Sequence, residues 1–180
     1  MLTNEQETAT LAGGCFWCIE TIFRDLNGVE KVVSGYMGGT LKKPGYKEVC
    51  TGRTGHAEVV QITYNPQKIS FEELLEVFWT IHDPTQLNKQ GHDVGTQYRS
   101  AIFYHNEGQR IAAEKSIKEI AMPLWEQSVV TTLEPLAEFY TAEDYHQNYY
   151  NLNPDQPYCS IVIAPKIAKA RAKFAGKMKK

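Results

Sequence analysis

Thr8-Ala-Thr-Leu-Ala-Gly-Gly-Cys-Phe-Trp-Cys-Ile-Glu-Thr-Ile-Phe-Arg-Asp-Leu-Asn-Gly28 is the stretch from which the fold is read. Thr8 to Ala12 is a short strand that runs into Gly13 and Gly14. Beyond them Cys15, Ile19, Ile22 and Leu26 recur at spacings of four, three and four, one face of a helix that Gly28 stops. Cys15 therefore belongs at the first turn of a helix that follows a strand. Unpaired N–H groups and the positive end of the helix dipole gather there and favour a thiolate over a thiol. Two glycines would leave the approach to the sulfur free of side chains. A buried, inert cysteine beside aromatic core residues is the alternative.

Working outward, Val29 to Tyr36 reads as a second strand, and Thr40 to Gly55 as a surface loop rich in Gly, Pro and Lys. Cys50 in that loop has no chemical company in sequence and is expected to be a packing residue. Ala57 to Tyr64 is a strand whose alternation puts Glu58, Val60, Ile62 and Tyr64 on one face. A carboxylate in register with apolar residues is anomalous. Buried, it would hold its proton near neutrality and act as an acid; at the strand's first turn it could instead bend into solvent.

Ser70-Phe-Glu-Glu73 is a capping box opening a helix that runs to about His82, with Leu74, Val77, Phe78 and Ile81 inward. Trp79 and His82 fit a core or rim as well as a site. Asp83 to Tyr98 is a long polar loop, a place where function concentrates. It offers Asp93, Gln97 and Tyr98 as hydrogen-bonding groups and His92 as a base or a turn residue. Arg99 to His105 is a strand, Glu107 to Ile120 a helix broken at Met122-Pro123, and Val129 to Leu133 another strand. Glu138 to Tyr150 is aromatic and expected to be helical over its second half. From Pro165 onward come seven Lys or Arg and no acid, the pattern of a solvated terminal helix with Ile167, Ala170 and Phe174 inward.

The first six elements follow the split β-α-β-β-α-β plan. The expectation is one α+β domain over residues 1–180, a ferredoxin-like plait with an irregular C-terminal tail. A length of 180 residues and 42% hydrophobic content suit one globular core, and a net charge of −2 gives no electrostatic case for nucleic acid. The polar start Met1 to Glu7 resembles neither a signal nor a transit peptide, and no apolar run is long enough to span a membrane. A cytoplasmic, monomeric protein is expected. In a reducing compartment its four cysteines are catalytic, metal-binding or free. Cys15 and Cys18 have the C-x2-C spacing of a zinc site, but no second pair follows, so no metal is expected.

Gly14-Cys-Phe-Trp-Cys-Ile-Glu20 closely resembles the signature of the A-type methionine sulfoxide reductases, the peptide-methionine (S)-S-oxide reductases. Ser34-Gly-Tyr-Met-Gly-Gly39, Thr54-Gly-His-Ala-Glu58, Gly95-Thr-Gln-Tyr-Arg-Ser100 and Ala142-Glu-Asp-Tyr-His-Gln147 agree with it in the same order. The resemblance implies an α/β plait, no cofactor, and reduction of free or protein-bound methionine sulfoxide with thioredoxin as reductant. It implies Cys15 as nucleophile and Glu58 as the acid at the sulfoxide oxygen. Tyr36 and Tyr98 would be phenols aimed at that oxygen, Asp93 a support, and Phe16 and Trp17 the wall that receives the S-methyl group. For the resolving thiol, Cys159 matches the family's C-terminal recycling position, while Cys18 stands where many members have Gly. The glycine-rich stretch that often follows the recycling cysteine is replaced here by Ser160-Ile-Val-Ile163. Both thiols remain open, with Cys159 favoured. A thioredoxin-like oxidoreductase built on Cys15-Phe-Trp-Cys18 is the rival enzyme reading, but it leaves Glu58, Tyr36 and Tyr98 unexplained. A non-catalytic redox sensor is the other rival.

Overall fold

The computed structural model describes residues 5–180; Met1 to Asn4, the first four of the seven residues of the polar start, lie outside the described residues. In order come β1 (Glu7–Gly13), α1 (Phe16–Arg24), β2 (Val29–Met37), α2 (Tyr46–Cys50), β3 (Ala57–Tyr64) and α3 (Phe71–Ile81). A ribbon of β4 (Lys89–Gln90) and β5 (Asp93–Val94) precedes β6 (Ser100–Tyr104) and α4 (Glu107–Ser116). Then follow α5 (Met122–Trp125), β7 (Thr132–Pro135), β8 (Tyr140–Thr141), α6 (Tyr149–Leu152) and α7 (Ala164–Lys173). The main sheet has the order β7-β6-β1-β3-β2-β8, antiparallel except where β7 joins β6 in parallel. The fold is mixed α+β with a mostly antiparallel central sheet.

Alternation along β3 divides the core as the pattern requires. Val60, Ile62 and Tyr64 join the large cluster beneath α1 and α3, while Ala57 and Val59 join Met37 and Phe103 on the opposite face. The capping box forms: the Ser70 hydroxyl accepts from the Glu73 N–H at 3.1 Å, and the Glu73 carboxylate accepts from the Ser70 N–H at 2.8 Å. Trp79 and His82 are both core. Trp79 donates Nε1–H to Ser116, and the His82 ring is held by the Phe78 carbonyl and Ser100, with burial pushing its pKa down to about 4.

Several elements depart from the sequence expectations. The first helix ends at Arg24, not at Gly28, because Leu26 leaves it to bridge Met178. Pro123 does not break its helix. A π-helical turn over Ile117–Ala121 widens the hydrogen-bond ladder and α5 continues beyond it with Pro123 in its first turn, where a missing N–H costs little. The strand expected over 129–133 begins three residues later and ends two residues later, at Thr132–Pro135. The second half of 138–150 is not one helix: β8 is followed by a 3-10 turn over Asp144–His146, and Asn148 at φ +56 separates that turn from α6, which begins at Tyr149. The C-terminal tail is not irregular, since a π-helical turn over Cys159–Ile163 leads into α7, which buries Ile167, Ala170 and Phe174. Its basic residues meet acids of the same chain, Arg171 with Asp25 at 2.7 Å and Lys177 with Glu73 at 2.8 Å.

Candidate active site

Topology brings Glu58 to Cys15. β1 and β3 are antiparallel with Leu11 opposite Val60, and continuing that register two residues sets Glu58 alongside Gly13. Cys15 is the N-cap of α1, in extended conformation, so its thiol stands at the helix mouth. The Glu58 carboxyl accepts the Phe16 N–H at 3.2 Å, one of the donors that the first turn leaves unpaired. It does not bend into solvent; Glu58 is 2% exposed. Burial, opposed by that hydrogen bond, raises its pKa from the ordinary 4.5 to about 8. At neutral pH the side chain is mainly the protonated acid.

The same enclosure overturns the expectation that the helix start favours a Cys15 thiolate. Burial first and the Glu58 carboxylate second push the Cys15 thiol well above its ordinary value, and the backbone hydrogen bond from Trp17 only partly offsets them. The glycines also act differently from the open approach expected of them. Gly14 holds φ +93, and a Cβ there would meet the Gln90 side chain at 2.7 Å. It lets the β4–β5 ribbon press against the turn.

Of the two phenols named with Glu58, Tyr98 is half-buried beside it, with its pKa raised by burial and then by the Glu58 charge. Tyr36 is the cross-strand partner of Glu58, but it is 0% exposed and its hydroxyl donates to Glu143 at 3.0 Å. A second phenol that sequence reasoning missed is Tyr46, on the short helix α2 inside the loop read as unstructured. Its pKa is raised by burial and, among other neighbours, by Glu58 and Tyr98. His56 positions that loop by accepting from the Gly39 N–H at 3.0 Å and bonding the Leu41 carbonyl at 2.6 Å. A Cβ on Gly39 would strike the His56 backbone nitrogen at 2.4 Å, so only glycine passes there. Cys50 is not a packing residue: it is exposed, and its sulfur sits against the Tyr46 and Tyr98 phenols.

Asp93 accepts a hydrogen bond from the Tyr158 hydroxyl, whose pKa is raised by burial and then by the Cys15 charge. His92 is exposed in the two-residue turn between β4 and β5, and Gln97 is buried, donating to the Cys50 carbonyl at 3.3 Å. Phe16 is buried, while half-buried Trp17 is stacked on Tyr149 at 3.8 Å and crossed edge-on by Tyr158. Glu20, also unremarked in sequence, is buried, and both its oxygens accept from the Asn148 N–H at 2.8 and 3.0 Å. It fastens the aromatic segment to α1.

All four cysteines are free. Cys18 is buried three residues into α1 from Cys15, and burial raises its thiol pKa to about 11. Cys159 is buried next to Tyr158, whose phenol pKa is raised by burial and then by the Cys15 charge. Among the described residues no group of three or more His, Cys, Asp or Glu is placed to hold a metal ion.

A thiol at a helix mouth with a protonated carboxyl beside it, ringed by phenols and indole, defines a thiol-dependent reductase. Residues 7–178 match the family described as peptide methionine sulfoxide reductase, and the chain belongs to it and is an enzyme of that activity. It is 53% identical over 174 residues to peptide methionine sulfoxide reductase MsrA 1 of Rhodopirellula baltica, covering 97% of this chain and 90% of that one. Among solved structures, Mxr1 of Saccharomyces cerevisiae in reduced form superposes with TM-score 0.80 at 41% identity, covering 86% of this chain and 90% of that one. The same yeast protein in complex with Trx2 superposes with TM-score 0.57 at 31% identity, covering 81% and 85%.

Proposed function

We propose that the chain reduces the S epimer of methionine sulfoxide, free or in proteins, with Cys15 as nucleophile and Glu58 as acid. The observation that carries this is the buried Glu58 carboxyl on the Phe16 N–H, next to the thiol. A sulfoxide sulfur is a poor electrophile until its oxygen is protonated or strongly hydrogen-bonded. In this reading the Cys15 sulfur attacks that sulfur while Glu58 gives its proton to the oxygen, and the thiol proton passes to the carboxylate that Glu58 becomes. The S–O bond breaks, the sulfoxide sulfur gains two electrons, and the Cys15 sulfur loses two and becomes a sulfenic acid. A second thiol then condenses with it, water leaves, and a disulfide forms. A dithiol protein reduces that disulfide by exchange. Thioredoxin is the reductant we assign, supported by the relative solved with Trx2.

Tyr46 and Tyr98 are the phenols we place at the sulfoxide oxygen: all three phenols feel the Glu58 charge, but the Tyr36 hydroxyl is already donated to Glu143. Asp93 and Tyr158 close the mouth, and Phe16 and Trp17 form the methyl wall. Tyr46→Phe and Tyr98→Phe are each expected to lower kcat/KM by about 10²-fold, the typical effect of removing one donor aimed at developing charge. Tyr36→Phe is expected to change it less than about threefold. Equal losses at all three would return Tyr36 to the substrate oxygen.

We favour Cys159 over Cys18 as resolving thiol because its neighbour Tyr158 lies near enough to Cys15 to feel its charge. The decisive experiment is one turnover with each epimer of a sulfoxide-bearing peptide, followed by mass-spectrometric mapping of the disulfide. Turnover of the S epimer alone and a Cys15–Cys159 bond are expected; a Cys15–Cys18 bond would reassign the resolving role, and R-epimer turnover the stereochemistry.

The inner strands β6-β1-β3-β2, all antiparallel, support reading the core as a split β-α-β-β-α-β plait widened by β7 and β8. We read residues 1–180 as one domain, acting as a monomer because one chain supplies every group of the site. A cytoplasmic setting is supported by four free cysteines. No helix among the described residues is long and apolar enough to cross a membrane, and the net charge of −2 favours no nucleic acid.

A further inference from the structure

His146 takes no part in the chemistry above, yet its ring packs against four aromatic side chains around the site. Its ring is 0% exposed and lies 5.2 Å from Phe16, 5.7 Å from Trp17, 4.4 Å from Tyr46 and 4.1 Å from Tyr145, centre to centre. The Trp17 Nε1–H donates to His146 Nδ1 at 2.9 Å. An indole N–H only donates, so Nδ1 must be an acceptor and the imidazole proton sits on Nε2. That Nε2 has no hydrogen-bond partner among the described residues. A buried unsatisfied donor is costly, and a leucine of similar size would carry no such cost. Packing alone therefore does not account for an imidazole at this place.

We propose that His146 is a positioning residue that fixes the Trp17 indole as the wall of the methyl pocket. Stacking on Tyr149, at 3.8 Å and 13° between planes, sets the plane of the indole but leaves rotation within that plane free. The bond from Nε1 to Nδ1 removes that rotation. The buried Glu20 carboxylate holds the Asn148 N–H, so the segment that presents His146 is itself anchored to α1. His146 thus transmits the register of that segment to the substrate wall without touching the substrate.

The inference rests on Trp17 being that wall, and its test separates the two. Single-turnover reduction of the sulfoxide peptide is measured for Trp17→Phe, His146→Asn, His146→Gln, His146→Leu and the Trp17→Phe/His146→Leu pair. The asparagine Oδ1 overlays Nδ1, whereas the glutamine amide reaches the place of Nε2. His146→Asn is expected to keep the half-saturating concentration within about threefold, and His146→Gln and His146→Leu to raise it about tenfold or more. The limiting rate is expected to change less than about threefold in each. In the Trp17→Phe background, with no N–H to orient, His146→Leu should add less than about twofold. A half-saturating concentration unchanged in Trp17→Phe would overturn the wall, and the inference with it. A raised value there, but equal effects of Asn and Gln or an undiminished Leu effect in the pair, would overturn the role of His146 alone. Should the Leu variants fail to fold, the contrast between Asn and Gln decides.

Discussion

Cys15→Ser is expected to reduce no sulfoxide above background, a loss of at least roughly 10⁴-fold, as when a covalent nucleophile is removed. A serine hydroxyl at the N-cap of α1 suits the helix at least as well as the thiol, so the fold should survive. It cannot take the oxygen atom, because an alcohol oxygen has no counterpart to the sulfenic acid step. The check is reduction of a sulfoxide peptide with excess dithiothreitol, beside a thermal melt. Turnover within about a hundredfold of the wild type would remove Cys15 from the nucleophile role. The other three thiols serve as the internal contrast. Cys50→Ser should leave chemistry with dithiothreitol intact, since the Cys50 sulfur is exposed and only abuts the phenols.

Glu58→Gln is the second large effect, and it acts on rate and stability in opposite directions. The amide keeps the shape and a donor but cannot surrender a proton, and loss of a general acid typically costs about 10²–10⁴-fold. The wild-type acid is present below pH 8 and lost as pH rises through about 8, so the rate attributable to it should fall there. The glutamine variant should lack that fall. Its Cys15 thiol should also titrate lower than in the wild type, because the Glu58 charge that opposes the thiolate is gone. For stability, the folded protein holds the Glu58 proton more tightly than the unfolded chain, whose carboxyl titrates near 4.5. Folding therefore loses stability as pH rises from about 4.5 to about 8, by about 3 kcal/mol at pH 7. Glu58→Gln should be more stable than wild type at pH 7 and no more stable at pH 4. Unchanged kinetics would leave Glu58 a hydrogen-bonding group only, and equal stability gains at both pH values would dismiss its buried titration.

The legible parts of the site are those whose geometry is set by neighbours in the chain. Cys15 announced itself through the glycines before it and the helical stripe after it, and Glu58 through its place in the alternation of β3. Asp93, Gln97 and Tyr98 lay in a polar loop too long to be a plain connection. Tyr46 and His146 were not legible as site residues. Tyr46 sits on a helix of five residues, too short to show a period, in a loop that His56 pins against Gly39. His146 belongs to a segment that the sequence presents as aromatic and helical over its second half. The break at Asn148 is set by the distant Glu20, and no local pattern carries that information.

By itself the sequence determined the strand-turn-helix that mounts Cys15, the capped helix α3, the buried face of β3 and, through its motifs, the family. Those are matters of periodicity, capping and local backbone conformation, which act within a few residues. Only the tertiary structure decided that Glu58 is buried and protonated against the Phe16 N–H, and that the Cys15 thiol is raised and not lowered. It also decided that the Tyr36 hydroxyl is donated to Glu143. Ionisation depends on how much water and charge surround a group, and that surrounding is assembled from strands and loops far apart in the chain.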